Sequence, residues 1–213
     1  MREIIVDNFD IIKPALFSTP MVQAILADRK SKTRRVVKGL ALKWLTEDGF
    51  SPAFVADPGN KLSPYAVGDI LWVRETWTAM RDIETGHVDY FFAATKLDHD
   101  TVSTTYLCDD DGFDTGRPFP WKPSIFMPKK ICRLFLRVTD VRVERVQDIS
   151  DCDCMAEGIR CGIWDDLRDE FRALWDSLNA KRGYGWDTNP WVWVYTFERA
   201  DKPVGWPNTE PAP

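Results

Sequence analysis

Ile25-Leu26-Ala27-Asp28-Arg29-Lys30-Ser31-Lys32-Thr33-Arg34-Arg35 is the stretch on which the reading of this chain turns. Five cations and two hydroxyls stand within the seven residues from Arg29 to Arg35. The segment admits two readings. It can be a solvated basic turn. It can also be a site, because a Lys three residues before a Thr can act on the hydroxyl if burial or neighbouring cations depress the ammonium pKa. Arg29, Lys32, Arg34 and Arg35 supply such surroundings, and the same charges suit an oxyanion or a phosphate.

Upstream, Ser18 or Thr19 offers a cap and Pro20 suits the first position of a helix. Met21, Ala24 and Ile25 follow at helical spacing, so the spacing predicts a helix ending near Asp28-Arg29-Lys30. Downstream, residues 31–37 read as a basic loop entering a strand. Residues 46–68 are rich in Gly, Pro, Asp and Ser and read as loop, closed by a Gly68-Asp69 turn. That turn feeds an aromatic, β-branched strand over 70–77, and 88–93 is a second strand. The acidic run 109–114 reads as a surface loop. Leu134, Leu136 and Val138 alternate and are followed by Val141 and Val143, which predicts a long strand with a bulge near Asp140. Residues 148–151 offer a cap for a short helix that Gly158 stops just after Glu157. Leu167, Phe171, Leu174, Trp175 and Leu178 form one stripe of an amphipathic helix over 165–181. Residues 191–198 read as the closing strand, and the Pro-rich segment 200–213 as a flexible tail.

These elements lack a βαβ rhythm and imply an α+β fold, a small mixed β-barrel with flanking helices. The expected organisation is one domain over 1–199, with insertions at about 46–66 and 96–120. At 213 residues the chain can bury a sizeable core without disulfide or metal staples. Its ten Trp and twelve Phe serve such a core, and some can also stack on a planar base. Trp72 and Trp77, close to the basic segment in this scheme, are the candidates for such stacking. A net charge of -5 favours a small ligand over a long polyanion.

The remaining motifs exclude more than they offer. Cys152-Asp153-Cys154 followed by Cys161 lacks the usual spacing of structural zinc, and the only two His, His87 and His99, lie far off in sequence. No metal or cofactor is expected. There is no readable Ser-His-Asp set, P-loop or GxGxxG. The segment Met1–Asp7 is charged and lacks the apolar core of a signal peptide, and no run approaches the roughly 18 apolar residues of a membrane span. A cytoplasmic protein without a membrane partner is the expectation. Glu157 reads as a surface carboxylate unless it faces the Lys-Thr pair, where it can move a proton.

The basic segment, together with Val67-Gly68-Asp69-Ile70-Leu71-Trp72-Val73, resembles the ASCH family of the PUA-like superfamily. The resemblance spans most of residues 15–198, and Trp121–Pro128 and Val138–Glu144 look like the longer members found in phages and prophages. The segment is also similar to the ILAGRK-T-x-T-x-R loop of the small bacterial N4-acetylcytidine amidohydrolases. That resemblance implies a metal-independent hydrolase of N4-acylated cytosine bases, nucleosides or nucleotides. It places the family's catalytic Lys on Lys30, its Thr on Thr33 and, by element order, its Glu on Glu157. Arg29, Arg34, Arg35, Trp72 and Trp77 are then the expected substrate contacts. Two departures stand out: the chain is about twice as long as those enzymes, and Asp28 replaces the usual loop Gly. The alternatives are a non-catalytic module binding RNA or a modified base, and a ribonuclease using Lys30 and Glu157.

Overall fold

The computed structural model describes residues 12–81, 88–95, 106–108, 114–118, 120–160 and 166–207. In chain order the elements are β1 (Ile12–Leu16), α1 (Thr19–Leu26), β2 (Lys32–Val36), α2 (Gly39–Thr46), α3 (Pro52–Ala56), β3 (Ile70–Arg74), β4 (Trp77–Arg81), β5 (Val88–Phe92), β6 (Tyr106–Cys108), β7 (Asp114–Pro118), β8 (Phe135–Arg145), α4 (Asp151–Ala156), α5 (Leu167–Asn179) and β9 (Trp191–Ala200). The fold is mixed α+β. A five-stranded sheet runs in the order β1-β3-β8-β9-β2, and β4-β5 and β6-β7 form separate pairs. Within the large sheet β1 and β3 are parallel and the other pairs antiparallel.

Side-chain parity explains why these strands read as dense apolar runs. Leu71 and Val73 of β3, Leu136 of β8 and Trp193, Tyr195 and Phe197 of β9 enter a central core that α1, α2 and α3 complete. The opposite face is buried twice more. Ile12, Ile70, Trp72 and Phe135 pack with Trp77 and Trp206 in a second core, and Val192 and Val194 pack with Phe171 and Trp175 of α5 in a third. Both faces of the strands are covered, so hydrophobic positions need not alternate strictly with polar ones.

The bulge expected near Asp140 is present. Val138 pairs with Phe197, but Asp140 pairs with Thr196, leaving one extra residue in β8. That residue restores the inward face, so that Val138 and Val143 share the central core despite their odd separation.

Several expectations are corrected. The strand predicted over 70–77 is two strands, interrupted at Glu75 and Thr76. Glu75 is fully buried and its carboxylate takes a two-pronged bond from Arg133, at 2.9 and 2.8 Å. Past that ion pair the chain changes partner, and β4 pairs with β5 instead of continuing beside β8. Within the expected loop 46–68, Ser51 caps α3, and β1 and α2 also form where no element was expected. The segment expected to be a flexible tail from residue 200 instead docks as far as Trp206, because the indole packs on Trp72 and Phe135 and donates to Lys129 O at 2.9 Å. The acidic run 109–113 and residues 96–105 of the expected insertion lie outside the described residues, as do Cys161 and the tail beyond residue 207. No helix among the described residues is long and apolar enough to cross a membrane.

Among the described residues, β1 and β2 are the two edges of the five-stranded sheet. A side chain bridges them, since Arg35 of β2 donates from Nη2 to Leu16 O of β1 at 2.8 Å. The seam between these edges is where the cavity lies.

Candidate active site

α1 ends in a tight reversal. Asp28 takes φ +53°, the left-handed conformation that a glycine would occupy freely and that Asp tolerates better than most residues. The amides of Arg29 and Lys30 then both donate to Ala24 O, at 2.9 and 3.2 Å. This reversal brings Lys30 alongside the end of α4, where it forms an isolated antiparallel bridge with Glu157. The partner arrives with equal definition. Ser150 caps α4 by accepting from Asp153 N, and Glu157 closes the helix. Gly158 follows at φ +94°, and a Cβ there would meet Ala24 Cβ at 2.9 Å and Lys30 Cβ at 3.3 Å. Only glycine satisfies both the backbone and the close approach.

The side chain of Lys30 has no solvent exposure. Its ammonium donates to Lys32 O at 2.7 Å, Glu157 O at 2.9 Å and Glu157 Oε2 at 2.5 Å. Three acceptors use all three of its hydrogens. Burial pushes the Lys30 pKa down, the Glu157 carboxylate partly opposes this, and the charges of Arg35 and Arg34 add to the lowering. A depressed ammonium in direct contact with a carboxylate is a pair across which a proton can move.

Arg34 knits this pair into a larger network. Its Nη1 donates to Glu157 Oε1 at 3.1 Å, its Nη2 to Asp153 Oδ2 at 2.7 Å, and its Nε and Nη2 to Glu144 Oε1 at 3.0 and 2.6 Å. Lys32 and Arg142 also bond to Asp153. Desolvation lowers the Arg34 pKa, but Glu157 and Glu144 outweigh it and raise the net value. At Asp153 burial works to raise the carboxyl, yet the bonds from Lys32 and Arg34 and the charges of Arg34 and Arg142 hold it at about 2.

Asp153 has a consequence for stability. An unfolded Asp titrates at about 4. Its folded-state contribution is therefore complete above pH ~5 and is lost as pH falls through 4 toward 2. Urea denaturation is expected to give constant stability from pH 7 to 5 and a decline below 4, part of whose slope Asp153→Asn removes. An unaltered acid limb in that variant contradicts the role given to Asp153.

Glu157 also faces open space. It lies on the wall of a cavity of about 610 Å³ between the two edge strands, a size usual for small-molecule sites. Leu16, Phe17 and Arg74 line it from the β1 side, Thr33, Arg34 and Arg35 from β2, and Phe171, Leu174 and Trp175 from α5. Part of the apolar stripe read as core is thus cavity wall. Tyr65 and Tyr184 add two further rings. Arg34, Arg35, Lys38, Arg74 and Arg182 line the cavity together with a single carboxylate among the described residues, Glu157. A chain of net charge -5 thus encloses a locally cationic site. Glu157, Ser18, Met21 and Leu174 also wall an adjoining groove of about 830 Å³ that includes Arg29.

The structure brings Lys30, Glu157 and Arg34 into direct contact, with Arg35 and Thr33 on the same cavity. Thr33 is not bonded to Lys30, whose hydrogens all go elsewhere. Arg29 donates to Gly158 O at 3.2 Å and supports the turn beside Glu157. Trp72 and Trp77, expected as substrate contacts, are corrected: both are buried in the second core and neither lines the cavity. The aromatics that do are Phe17, Tyr65, Phe171, Trp175 and Tyr184. Glu144 and Asp153 also belong to the site, though no motif in the sequence pointed to them. Arg142 and Glu144 carried a signal only as charged positions two apart on β8, flanking the buried Val143. Asp153 was hidden inside the CxC motif, where Cys152 is exposed and Cys154 is buried, its thiol pushed up to about 11 chiefly by burial.

Fold and site together define an α+β protein with a cavity at the seam between two edge strands, walled by rings and cations beside the buried Lys30–Glu157 pair. Among solved structures, the chain is similar to an ASCH domain from Lactobacillus crispatus JV V101, at 11% identity over 88% of this chain and 79% of that one, with a TM-score of 0.38. It is also similar to protein EF3133 from Enterococcus faecalis V583, of family DUF984, at 11% identity over 84% of this chain and 66% of that one, with a TM-score of 0.37. The first is of the ASCH type that the basic segment resembles. No family model and no curated protein matches the chain. The chemistry of the site therefore rests on its own residues.

Proposed function

We propose that the cavity binds an N4-acylated cytosine nucleoside or nucleotide and hydrolyses its amide. The observation that carries this reading is Glu157, set on the cavity wall with the buried ammonium of Lys30 2.5 Å behind it. Glu157 presents its carboxylate to the cavity and takes a proton from water there. The hydroxide adds to the acyl carbonyl. Four of the five N–H hydrogens of Arg34 are committed to carboxylates, and the remaining one on Nη1, beside Glu157, is the donor proposed for the oxyanion. Collapse of the tetrahedral intermediate breaks the C–N bond. Glu157 returns its proton to the N4 leaving group, giving a carboxylic acid and the free amino base. Rings such as Phe17 and Tyr184 offer faces for the pyrimidine.

Water is preferred to Thr33 as nucleophile because the base first expected to serve Thr33, Lys30, is fully engaged with other acceptors. The test is hydrolysis of N4-acetylcytidine and N4-acetylcytosine followed by absorbance, with EDTA present. Turnover that survives EDTA is expected, and Thr33→Val is expected to lower kcat by about tenfold or less, well short of the 10²–10⁴ that a proton-transfer group contributes. A folded protein that turns over no N4-acyl substrate overturns the reading. A Thr33→Val loss as deep as that of Glu157→Ala restores Thr33 as nucleophile.

A further inference from the structure

The proposed hydrolysis uses Glu157, Lys30 and Arg34, and leaves unexplained why four further cations line the same cavity. Arg35, Lys38, Arg74 and Arg182 all contribute to its wall, and among the described residues none is ion-paired with a carboxylate. Arg34 and Arg142 nearby, by contrast, are each engaged with acidic partners. Unpaired cations gathered in a concave site repel one another, and an anionic ligand relieves that repulsion.

Two of the four are held in place before any ligand arrives. Arg35 donates to Leu16 O at 2.8 Å and lies over the Phe17 ring at 5.2 Å. Arg74 is the register partner of Leu16, donates to Ile125 O and lies over the Trp72 ring at 5.2 Å. Both are thus tied to Leu16, from opposite sides of the seam. Thr76 and Ser124 bring hydroxyls to the same wall. Lys38 and Arg182 are exposed and sit near Tyr184 at the rim; Lys38 Nζ is 5.3 Å from the centre of that ring.

We propose that the ligand is a nucleoside 5′-monophosphate and that Arg35 and Arg74 hold its phosphate. Guanidinium groups suit this task because their planar forks bond phosphate oxygens in pairs. Rings on the same wall take the base, and Lys38 and Arg182 draw the anion in. A mononucleotide is favoured over RNA because the cavity is of small-molecule size and the chain as a whole is acidic. The proposal deepens the amidohydrolase reading, on which only the identity of the base rests.

Binding is read without turnover, by tryptophan fluorescence, since Trp175 is on the wall. Cytidine 5′-monophosphate is expected to bind at least about tenfold more tightly than cytidine, the size of one or two charge-assisted hydrogen bonds. Arg35→Gln and Arg74→Gln should each erase most of that difference, weakening the monophosphate far more than cytidine, and leave the Tm within a few degrees; Arg35→Lys should recover part of it. Equal affinities for the two ligands overturn the proposal, and that comparison needs no variant. Variants that weaken both ligands equally also overturn it, since the two arginines are then structural. An RNA oligomer that outbinds the mononucleotide with a steep salt slope overturns it in favour of a polymer. The two readings fail separately. A protein that prefers the monophosphate yet never hydrolyses N4-acetylcytidine loses the amidohydrolase reading and keeps the phosphate site. A protein that hydrolyses N4-acetylcytidine with no preference for its 5′-monophosphate does the reverse.

Discussion

Glu157→Ala is expected to remove turnover of N4-acetylcytidine, with a fall in kcat of about 10²–10⁴, the usual contribution of a proton-transfer group. It also strips the buried ammonium of Lys30 of its counter-charge. Breaking a buried pair from one side costs about 3–5 kcal/mol, so the variant should be markedly less stable, and lost activity alone is ambiguous. Two further variants separate catalysis from folding. Glu157→Gln keeps the shape of the side chain and its contact with Arg34, and should lose activity as deeply with a smaller loss of stability. Lys30→Met combined with Glu157→Gln removes both charges. It should recover stability beyond Glu157→Ala without recovering activity, because well-packed apolar replacements of buried pairs are often neutral. Activity that persists in Glu157→Gln, measured against the wild type on N4-acetylcytidine, contradicts the assignment of Glu157 as the acid-base group.

Arg34→Met is the second large effect. One guanidinium, with a side chain only 1% exposed, is bonded to Glu157, Glu144 and Asp153 together. Its removal leaves three carboxylates close to one another with Lys30, Lys32 and Arg142 as the remaining cations. A loss of about 3–5 kcal/mol is expected, which for a chain of this length lowers Tm by about 10 °C. The pH dependence has a definite sign. Arg34 is one of the groups that hold the Asp153 carboxyl low, so without it Asp153 takes up a proton more readily than in the wild type. The deficit relative to wild type should shrink as pH falls from 7 to 3, because protonating Asp153 removes the charge that Arg34 stabilises. Thermal denaturation at both pH values checks this. A variant as stable as wild type at pH 7, or a deficit that does not change with pH, contradicts the view that Arg34 neutralises the cluster.

Much of the framework was legible in the sequence because its signals are local. Ser18, Thr19 and Pro20 mark the start of α1, and Ser150 and Gly158 bracket α4 with Glu157 at its end. The change of parity between Val138 and Val141 located the bulge in β8, since a single extra residue must swap the two faces. The basic segment from Arg29 to Arg35 carries Lys30, which bonds Glu157, and Arg34 and Arg35, which line the cavity. The misreadings had equally local causes. A helix as short as α3 offers too few turns for a periodic signal, and nothing at Glu75 announces that its carboxylate is to be buried against Arg133.

By itself, then, the sequence determined the courses of α1, α4, α5, β8 and β9, where β8 bulges, and that Lys30 follows the end of α1. Only the tertiary structure decided that Lys30 meets Glu157, 127 positions away, and that Arg34 joins both to Asp153 and Glu144. It alone placed Phe17, Tyr65, Trp175 and Tyr184 on the cavity while sending Trp72 and Trp77 to a separate core. The reason is physical. Strand parity sorts side chains onto two faces, and helical spacing onto one stripe, but here both faces of the sheet are buried. Which face borders the cavity depends on where the edge strands β1 and β2 approach each other, and that depends on packing between segments far apart in the chain.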